Sequence, residues 1–380
     1  MIRSIRLGHA PNCSSLGNAL NLLVWSQALI GALWVAAEAW PARRRRPEPD
    51  GGESRLVEDP PAIVSTGERD APIEAHVQVT RDCALPCPAC HVDPTPGGPH
   101  VPVETLEARF ADLAARGVFR VAIGGGESLR HPDLPEIPRA AKRQGLAIGL
   151  TTAGIGPAHD LTGFDQVNVS FDGPGPVYAA SRGYDGAAAA LAAIRRARNS
   201  GVRVGVNVVL DRHTFPALGE TVALAAEAGA TDVQLLRYKP AGRGARDYLD
   251  RRLTREQVMG VWPRVRALID QFPDLTFRVD CSMIPFLAAH GVDPERMRKL
   301  AFLGCHGGDA MLSVDTRGGE HACSFVEDAP GPRWRDGVRT GPCGGCAWRD
   351  ICRGGCHAVA RHLTGDLFAP DPECPIVAAV

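Results

Sequence analysis

Ten of the chain's 12 cysteines fall into two tight groups, and this constrains the fold more than any other feature. Three lie between Cys83 and Cys90 and seven between Cys305 and Cys374, which leaves Cys13 and Cys281 outside. In a secreted chain of under about 100 residues such groups read as disulfides, but in a long chain with enzyme-like organisation they point to metal. The tail from about residue 301 is rich in Gly and Cys and poor in long apolar runs, so it cannot bury much of a core by itself, and bound metal could hold it together.

The remaining organisation is that of a soluble globular chain. A formal net charge of -1 and 44% hydrophobic residues exclude a general nucleic-acid binder. From residue 73, apolar β-branched runs alternate with alanine-rich helical stretches, the pattern of a parallel sheet with crossover helices. The strands predicted are Ile73 to Thr80, Phe119 to Ile123, Ala147 to Thr151, Gln166 to Phe171, Val202 to Leu210 and Asp232 to Arg237. Helices are predicted between them, as at Val103 to Arg116, Asp185 to Asn199 and Phe215 to Ala228. Six such units are too few for an eight-fold barrel, which leaves an open barrel or a doubly wound sheet; both place sites at the carboxyl ends of the strands. The domains expected are an extension over residues 1–72, the sheet domain over 73–250, a helical connector over 251–300 and the cysteine-rich tail over 301–380.

The extension carries no Asp, Glu, Lys or Arg from Leu7 to Ala37, and Arg43 to Arg46 follow. Leu20 to Ala37 passes the length test for a membrane span. Three readings stand: a docked or peptide-contacting helix over residues 16–40, a membrane anchor that keeps the following domains in the cytoplasm, or an export signal. Residues 41 to 72 are rich in Pro, Gly and charge and read as a linker.

The first predicted strand ends in Thr80-Arg81-Asp82, and Cys83, Cys87 and Cys90 follow within eight residues. Zinc is the simple reading of closely spaced cysteines, but zinc wants four ligands and the only adjacent fourth is His91. An iron–sulfur cluster held by three thiolates would leave one iron open to a ligand from outside the protein. This C-x3-C-x2-C spacing resembles the radical S-adenosylmethionine (SAM) enzymes. The resemblance implies a partial parallel barrel, here (β/α)6, and a 4Fe-4S cluster on Cys83, Cys87 and Cys90 that binds SAM. Two further segments carry it. Gly124-Gly125-Gly126-Glu127-Ser128 is similar to the family's Gly-Gly-Glu motif, which implies that Gly125, Gly126 and Glu127 meet the methionine amino group. Val169-Ser170-Phe171-Asp172-Gly173 resembles a segment whose serine contacts SAM, which makes Ser170 and the nearby Arg182 candidate contacts. Ala89 stands where the family usually has an aromatic residue, and Ser128 where Pro often follows Gly-Gly-Glu, so packing on the adenine is expected to differ.

In the tail, Cys343-x2-Cys346-x5-Cys352-x3-Cys356 would follow from a given cysteine by chance only on the order of once in 30,000, so composition does not explain it. Cys305, Cys323 and Cys374 complete seven positions that resemble the SPASM extension of radical SAM enzymes. That resemblance implies two auxiliary 4Fe-4S clusters, one on Cys305, Cys323 and Cys356 and the other on Cys343, Cys346, Cys352 and Cys374. The first lacks a fourth ligand. Cys281 is the nearby candidate, and an ordinary buried thiol is the alternative. Cys13 is not expected to be a ligand.

A peptide maturase is the function implied: a 5′-deoxyadenosyl radical would take hydrogen from a ribosomally made precursor peptide, forming a crosslink or an oxidised residue. Its expected partners are the precursor, an electron donor such as flavodoxin or ferredoxin, and a peptide-recognition element that is either the N-terminal helix or a separate protein. Oxidation of a sulfatase residue is the alternative within the family, with Glu327 and Asp328 as candidate bases or merely solvated loop charges. A zinc-stabilised binding module or a non-catalytic electron carrier is the alternative outside it.

Overall fold

The computed structural model describes residues 72–299, 303–326 and 341–377. The N-terminal apolar segment, Cys13, Glu327 and Asp328 lie outside them. No helix among the described residues is long and apolar enough to cross a membrane.

Among the described residues nine strands form one sheet in the order β7-β6-β5-β4-β3-β2-β1-β8-β9. They are β1 Glu74–Thr80, β2 Arg120–Gly125, β3 Ala147–Thr152, β4 Gln166–Ser170, β5 Arg203–Leu210, β6 Asp232–Arg237, β7 Thr276–Val279, β8 Met311–Val314 and β9 Glu320–His321. All neighbours pair in parallel except β8 and β9. The six expected strands are present. β7 is added by the connector and β8 by the cysteine-rich tail, which joins the sheet beside β1 rather than forming a layer of its own. Both strands are four residues long, too short to show a readable period.

The crossover helices bury small or aliphatic stripes against the sheet. In α1 (Val103–Ala115) Leu106, Phe110 and Leu113 fall on one face, each contributing about 1.5–3 kcal/mol by burial. Helices α2 (Glu136–Arg143) and α3 (Gly175–Arg182) follow β2 and β4. In α4 (Ala187–Asn199) the buried stripe is Ala187, Ala190, Ala193, Ile194 and Ala197, and such short side chains let the helix lie close on β4 and β5. Helix α5 (Leu218–Glu227) buries Leu218, Val222 and Ala225. In α6 (Arg255–Gln271) a capping box of Thr254 and Gln257 starts the helix that leads to β7.

The other face of the sheet is polar. Along β1, Ala75, Val77 and Val79 enter the core, whereas Glu74, His76, Gln78 and Thr80 alternate with them. Arg278 on β7 interacts electrostatically with Glu74 on β1, six strands away in the sheet order. Only a curled sheet brings those strands together, so the polar face lines a bore. Glu74 pairs with Arg120 at 3.0 Å, and Asp232 accepts from Arg203 and Arg278, so buried ion pairs fill its amino-terminal end.

Candidate active site

The first thiol loop is stapled to the end of β2. Gly126 N donates to Thr80 O at 2.7 Å and Glu127 N to Asp82 O at 2.9 Å. Asp82 also accepts from Gly97 N and from Arg130 Nε, both at 2.8 Å. The three glycines serve different ends. Gly125 has φ +125°, and a Cβ there would collide with the Thr80 carbonyl oxygen; one on Gly126 would collide with that of Asp82. A Cβ on Gly124 would meet no atom within 4 Å, because this position faces open cavity.

Cys83 and Cys87 are buried, Cys90 is half-buried, and all three are free thiols. Burial pushes the Cys83 and Cys87 thiols upward, and the neighbouring thiols add to this. Arg182 works the other way, hydrogen-bonding Cys87 while its Nε donates to Asp172 Oδ2 at 2.5 Å. Arg182 therefore lines the cavity with its guanidinium already engaged. Glu127 is similar. Its carboxylate accepts from Leu129 N at 3.0 Å, Ala153 N at 2.7 Å and the Thr152 hydroxyl, and burial pushes it upward. A methionine ammonium at this turn would meet an acceptor already sharing three donors. Ser170, at the end of β4, lines the same cavity.

The tail thiols sort electrostatically into two groups. Cys281 is raised by burial, then by Asp280, Cys305 and Cys323, and Cys323 is raised by burial, then by Cys305 and Cys356. Cys352 is raised by burial and by Cys374, Asp371 and Cys343, and Cys374 interacts with Cys346. The structure thus gathers Cys281, Cys305, Cys323 and Cys356 on one side and Cys343, Cys346, Cys352 and Cys374 on the other. Cys281 reaches its group from the turn after β7, a placement that spacing in the sequence does not give. Among the described residues no group of three or more His, Cys, Asp or Glu side chains is arranged to hold a single metal ion.

A cavity of about 300 Å³ connects these parts. Cys83, Cys87 and Cys90 line it on one side and Cys281 and Cys323 on another. Gln78 on β1 and Asn207 on β5 are buried in its wall, and Gln78 Oε1 and Asn207 Oδ1 have no hydrogen-bond partner among the described residues. Ser170, Asn207 and Gln234 stand side by side in register on β4, β5 and β6. Desolvated thiols, a glycine open to the cavity and orphaned acceptors suit an iron–sulfur cluster with a donor-rich ligand such as SAM.

Sequence reasoning missed a buried ion pair in the same wall. Lys239 pairs closely with Asp280, and its ammonium lies 4.3 Å from the Phe325 ring centroid. Burial works against that ammonium, but Asp280, with Cys356 and Cys281, more than offsets it and holds the group above its ordinary range. His91 lies tilted at 35° to Phe325, with ring centroids 4.7 Å apart, and is pushed down to about 4 by burial, Lys239, His76 and Arg182, so the ring is neutral. The signal was present in composition: only three of the 42 basic residues are lysine, and one of them is here.

Comparison with known proteins agrees with this geometry. Residues 77–225 match the radical SAM superfamily. The PqqA peptide cyclase of Streptomyces rochei is 28% identical over 341 residues, covering 80% of this chain and 89% of that one. The mycofactocin maturase MftC of Mycobacterium ulcerans is 30% identical over 339 residues, covering 80% and 88%. Among solved structures, Streptococcus suis SuiB bound to its precursor peptide SuiA aligns with a TM-score of 0.68 at 15% identity, covering 90% of this chain and 88% of that one. Similarity of this depth over four-fifths of the sequence makes the chain a member of the radical SAM superfamily of enzymes.

Proposed function

We propose that the chain is a peptide maturase that removes hydrogen from an unactivated carbon of a ribosomally made precursor peptide and leaves a crosslink or an oxidised residue. The observation that carries this reading is the single cavity whose walls include both the first thiol loop and the Cys281 and Cys323 group. The relatives named PqqA peptide cyclase and mycofactocin maturase, and a neighbour bound to a precursor peptide, support it.

In this reading Cys83, Cys87 and Cys90 hold a 4Fe-4S cluster, while Gly124 to Glu127, Ser170 and the acceptors of Gln78 and Asn207 seat SAM. When bound, these cofactors supply a 5′-deoxyadenosyl radical as hydrogen-atom acceptor. Arg182, itself held by Asp172, positions Cys87, and the Lys239–Asp280 pair with Phe325 and His91 forms the wall that excludes water from the reacting carbon. Cys281, Cys305, Cys323 and Cys356 hold one auxiliary 4Fe-4S cluster and Cys343, Cys346, Cys352 and Cys374 a second. The peptide approaches through the cavity mouth, and a flavodoxin or ferredoxin serves as electron donor.

The test is iron and sulfide analysis of anaerobically purified protein, together with 5′-deoxyadenosine release from SAM under dithionite. The peptide probe is the product of a short open reading frame flanking the gene. Iron, sulfide and deoxyadenosine with a mass change in the peptide are expected; zinc in place of iron, or no deoxyadenosine, overturns the reading.

A further inference from the structure

His76 stands in the middle of a hydrogen-bond chain that crosses from the tail into the barrel. Its Nδ1 lies 3.1 Å from Ser324 Oγ, and its Nε2 lies 3.2 Å from Glu74 Oε1. Glu74 is fully buried, which by itself would favour its neutral form, but Arg120 at 3.0 Å and His76 outweigh the burial and keep it ionised. An ionised carboxylate can only accept, so Nε2 carries a proton toward Glu74. In the neutral ring Nδ1 is then the acceptor of the serine hydroxyl, and the chain has the polarity Ser324 to His76 to Glu74. Ser324 and His76 both line the cavity between the thiol groups, and Glu74 lies behind them in the bore.

A hydroxyl backed by an imidazole and an ionised carboxylate is an arrangement for taking up a proton. We propose that His76 is the proton acceptor of the reaction, working through Ser324. The proposal rests on the peptide-maturase reading and adds to it the group that receives the proton. Forming a bond between two substrate atoms that each began with hydrogen removes two hydrogens. One leaves as an atom to the nucleoside radical. The other divides into an electron, which passes to an oxidised iron–sulfur centre or flavin carrier, and a proton. The substrate X–H bond releases that proton to Ser324 Oγ as the serine O–H passes its own to His76 Nδ1. The serine ends unchanged, and the imidazolium faces Glu74.

The surroundings suit this role. Ala122 on β2 and Ser313 on β8 flank His76 in register and carry no charge. The titratable neighbours are Glu74 on the same strand, Arg120 behind it and the neutral His91. Of the other carboxylates in the cavity wall, Asp280 is held by Lys239 and by Ser282 N at 2.9 Å, Glu127 by Leu129 N and Ala153 N, and Asp172 by Arg182.

His76→Gln keeps a hydrogen-bonding side chain without a proton-accepting nitrogen, and Ser324→Ala removes the end that meets the substrate. Each is prepared as holoenzyme with the flanking-frame peptide as probe. Modified peptide is measured by mass spectrometry, alongside deoxyadenosine release and calorimetric affinity for S-adenosylhomocysteine. Modified peptide is expected to fall about 100-fold in both variants, while the other two readouts stay within about twofold of the unsubstituted protein. His76→Gly should regain product when imidazole is added. Unchanged product, a parallel fall of all three readouts, or failure of imidazole to rescue His76→Gly overturns the proposal. Absence of deoxyadenosine from the unsubstituted protein overturns the peptide-maturase reading itself, and that result is visible without any variant.

Discussion

Arg237, at the end of β6, donates to both carboxylate oxygens of Asp371, at 2.5 and 3.0 Å, with both side chains sealed from solvent. The same carboxylate accepts from Cys356 N at 2.9 Å, and the Asp371 carbonyl accepts from Cys374 N at 3.0 Å. One ion pair thus ties the barrel to a cysteine of each tail group. Arg237→Met leaves a buried carboxylate without its cation and should cost about 3–5 kcal/mol. The check is the urea midpoint of the holoprotein, with earlier iron loss during the transition. The double variant Arg237→Met with Asp371→Leu should recover part of the loss, since the Asp371 charge goes with the cation and Glu373, which loses its 2.8 Å bond from Arg237, keeps Arg252 at 3.1 Å; no recovery would show that the pair does more than neutralise charge.

The turn after β2 gives a sharper contrast. Gly126→Ala pushes a methyl into the Asp82 carbonyl and should loosen the first thiol loop, lowering iron content and thermal midpoint together. Gly124→Ala pushes its methyl into open cavity, so the fold should survive while SAM affinity falls. Calorimetry with S-adenosylhomocysteine separates the two, and equal affinity in Gly124→Ala and the unsubstituted protein would remove Gly124 from the cofactor seat.

Three cysteine substitutions distinguish the thiol groups. Cys87→Ala should abolish deoxyadenosine formation. Cys346→Ala should leave uncoupled SAM cleavage but lose modified peptide. Cys281→Ala should lower iron without touching the first loop; iron content equal to that of the unsubstituted protein would make Cys281 an ordinary buried thiol.

Acid should unlock Glu74. Its folded pKa lies below the ordinary 4.5, because Arg120 and His76 outweigh burial. The unfolded chain therefore takes up this proton first, so the stability that Glu74 contributes is present above the ordinary carboxyl range and lost as pH falls through the folded value. Denaturant midpoints measured from about pH 7 to pH 3 should show the gap between the unsubstituted protein and Glu74→Gln narrowing with acid. A gap that is constant across the range would mean that the charge on Glu74 contributes nothing.

The strands of the barrel were legible because their apolar positions recur, and the first thiol loop because its three cysteines are close in sequence. The bore was harder to read. Along β1 the alternation of Glu74, His76 and Gln78 with Ala75, Val77 and Val79 is the pattern of a strand with one wet face. Here the polar face is enclosed by the curled sheet and forms the cavity wall. β8 escaped notice because Met311 to Val314 is four residues long and pairs with a strand more than 230 positions earlier. The placement of Cys281 beside Cys305 and Cys323 likewise depends on how β7 returns to the sheet, which no local spacing encodes.

The seam between β8 and β1 also limits what can be cut away. Glu74 to Val77 pair along their length with Met311 to Val314. Truncating the chain before residue 300 would strip that partner and bare a row of amide and carbonyl groups on the strand that leads into Cys83. An uncovered strand of this kind invites pairing with another molecule. The barrel expressed without its tail should therefore aggregate, and the first thiol loop and the tail are best regarded as parts of one indivisible sheet.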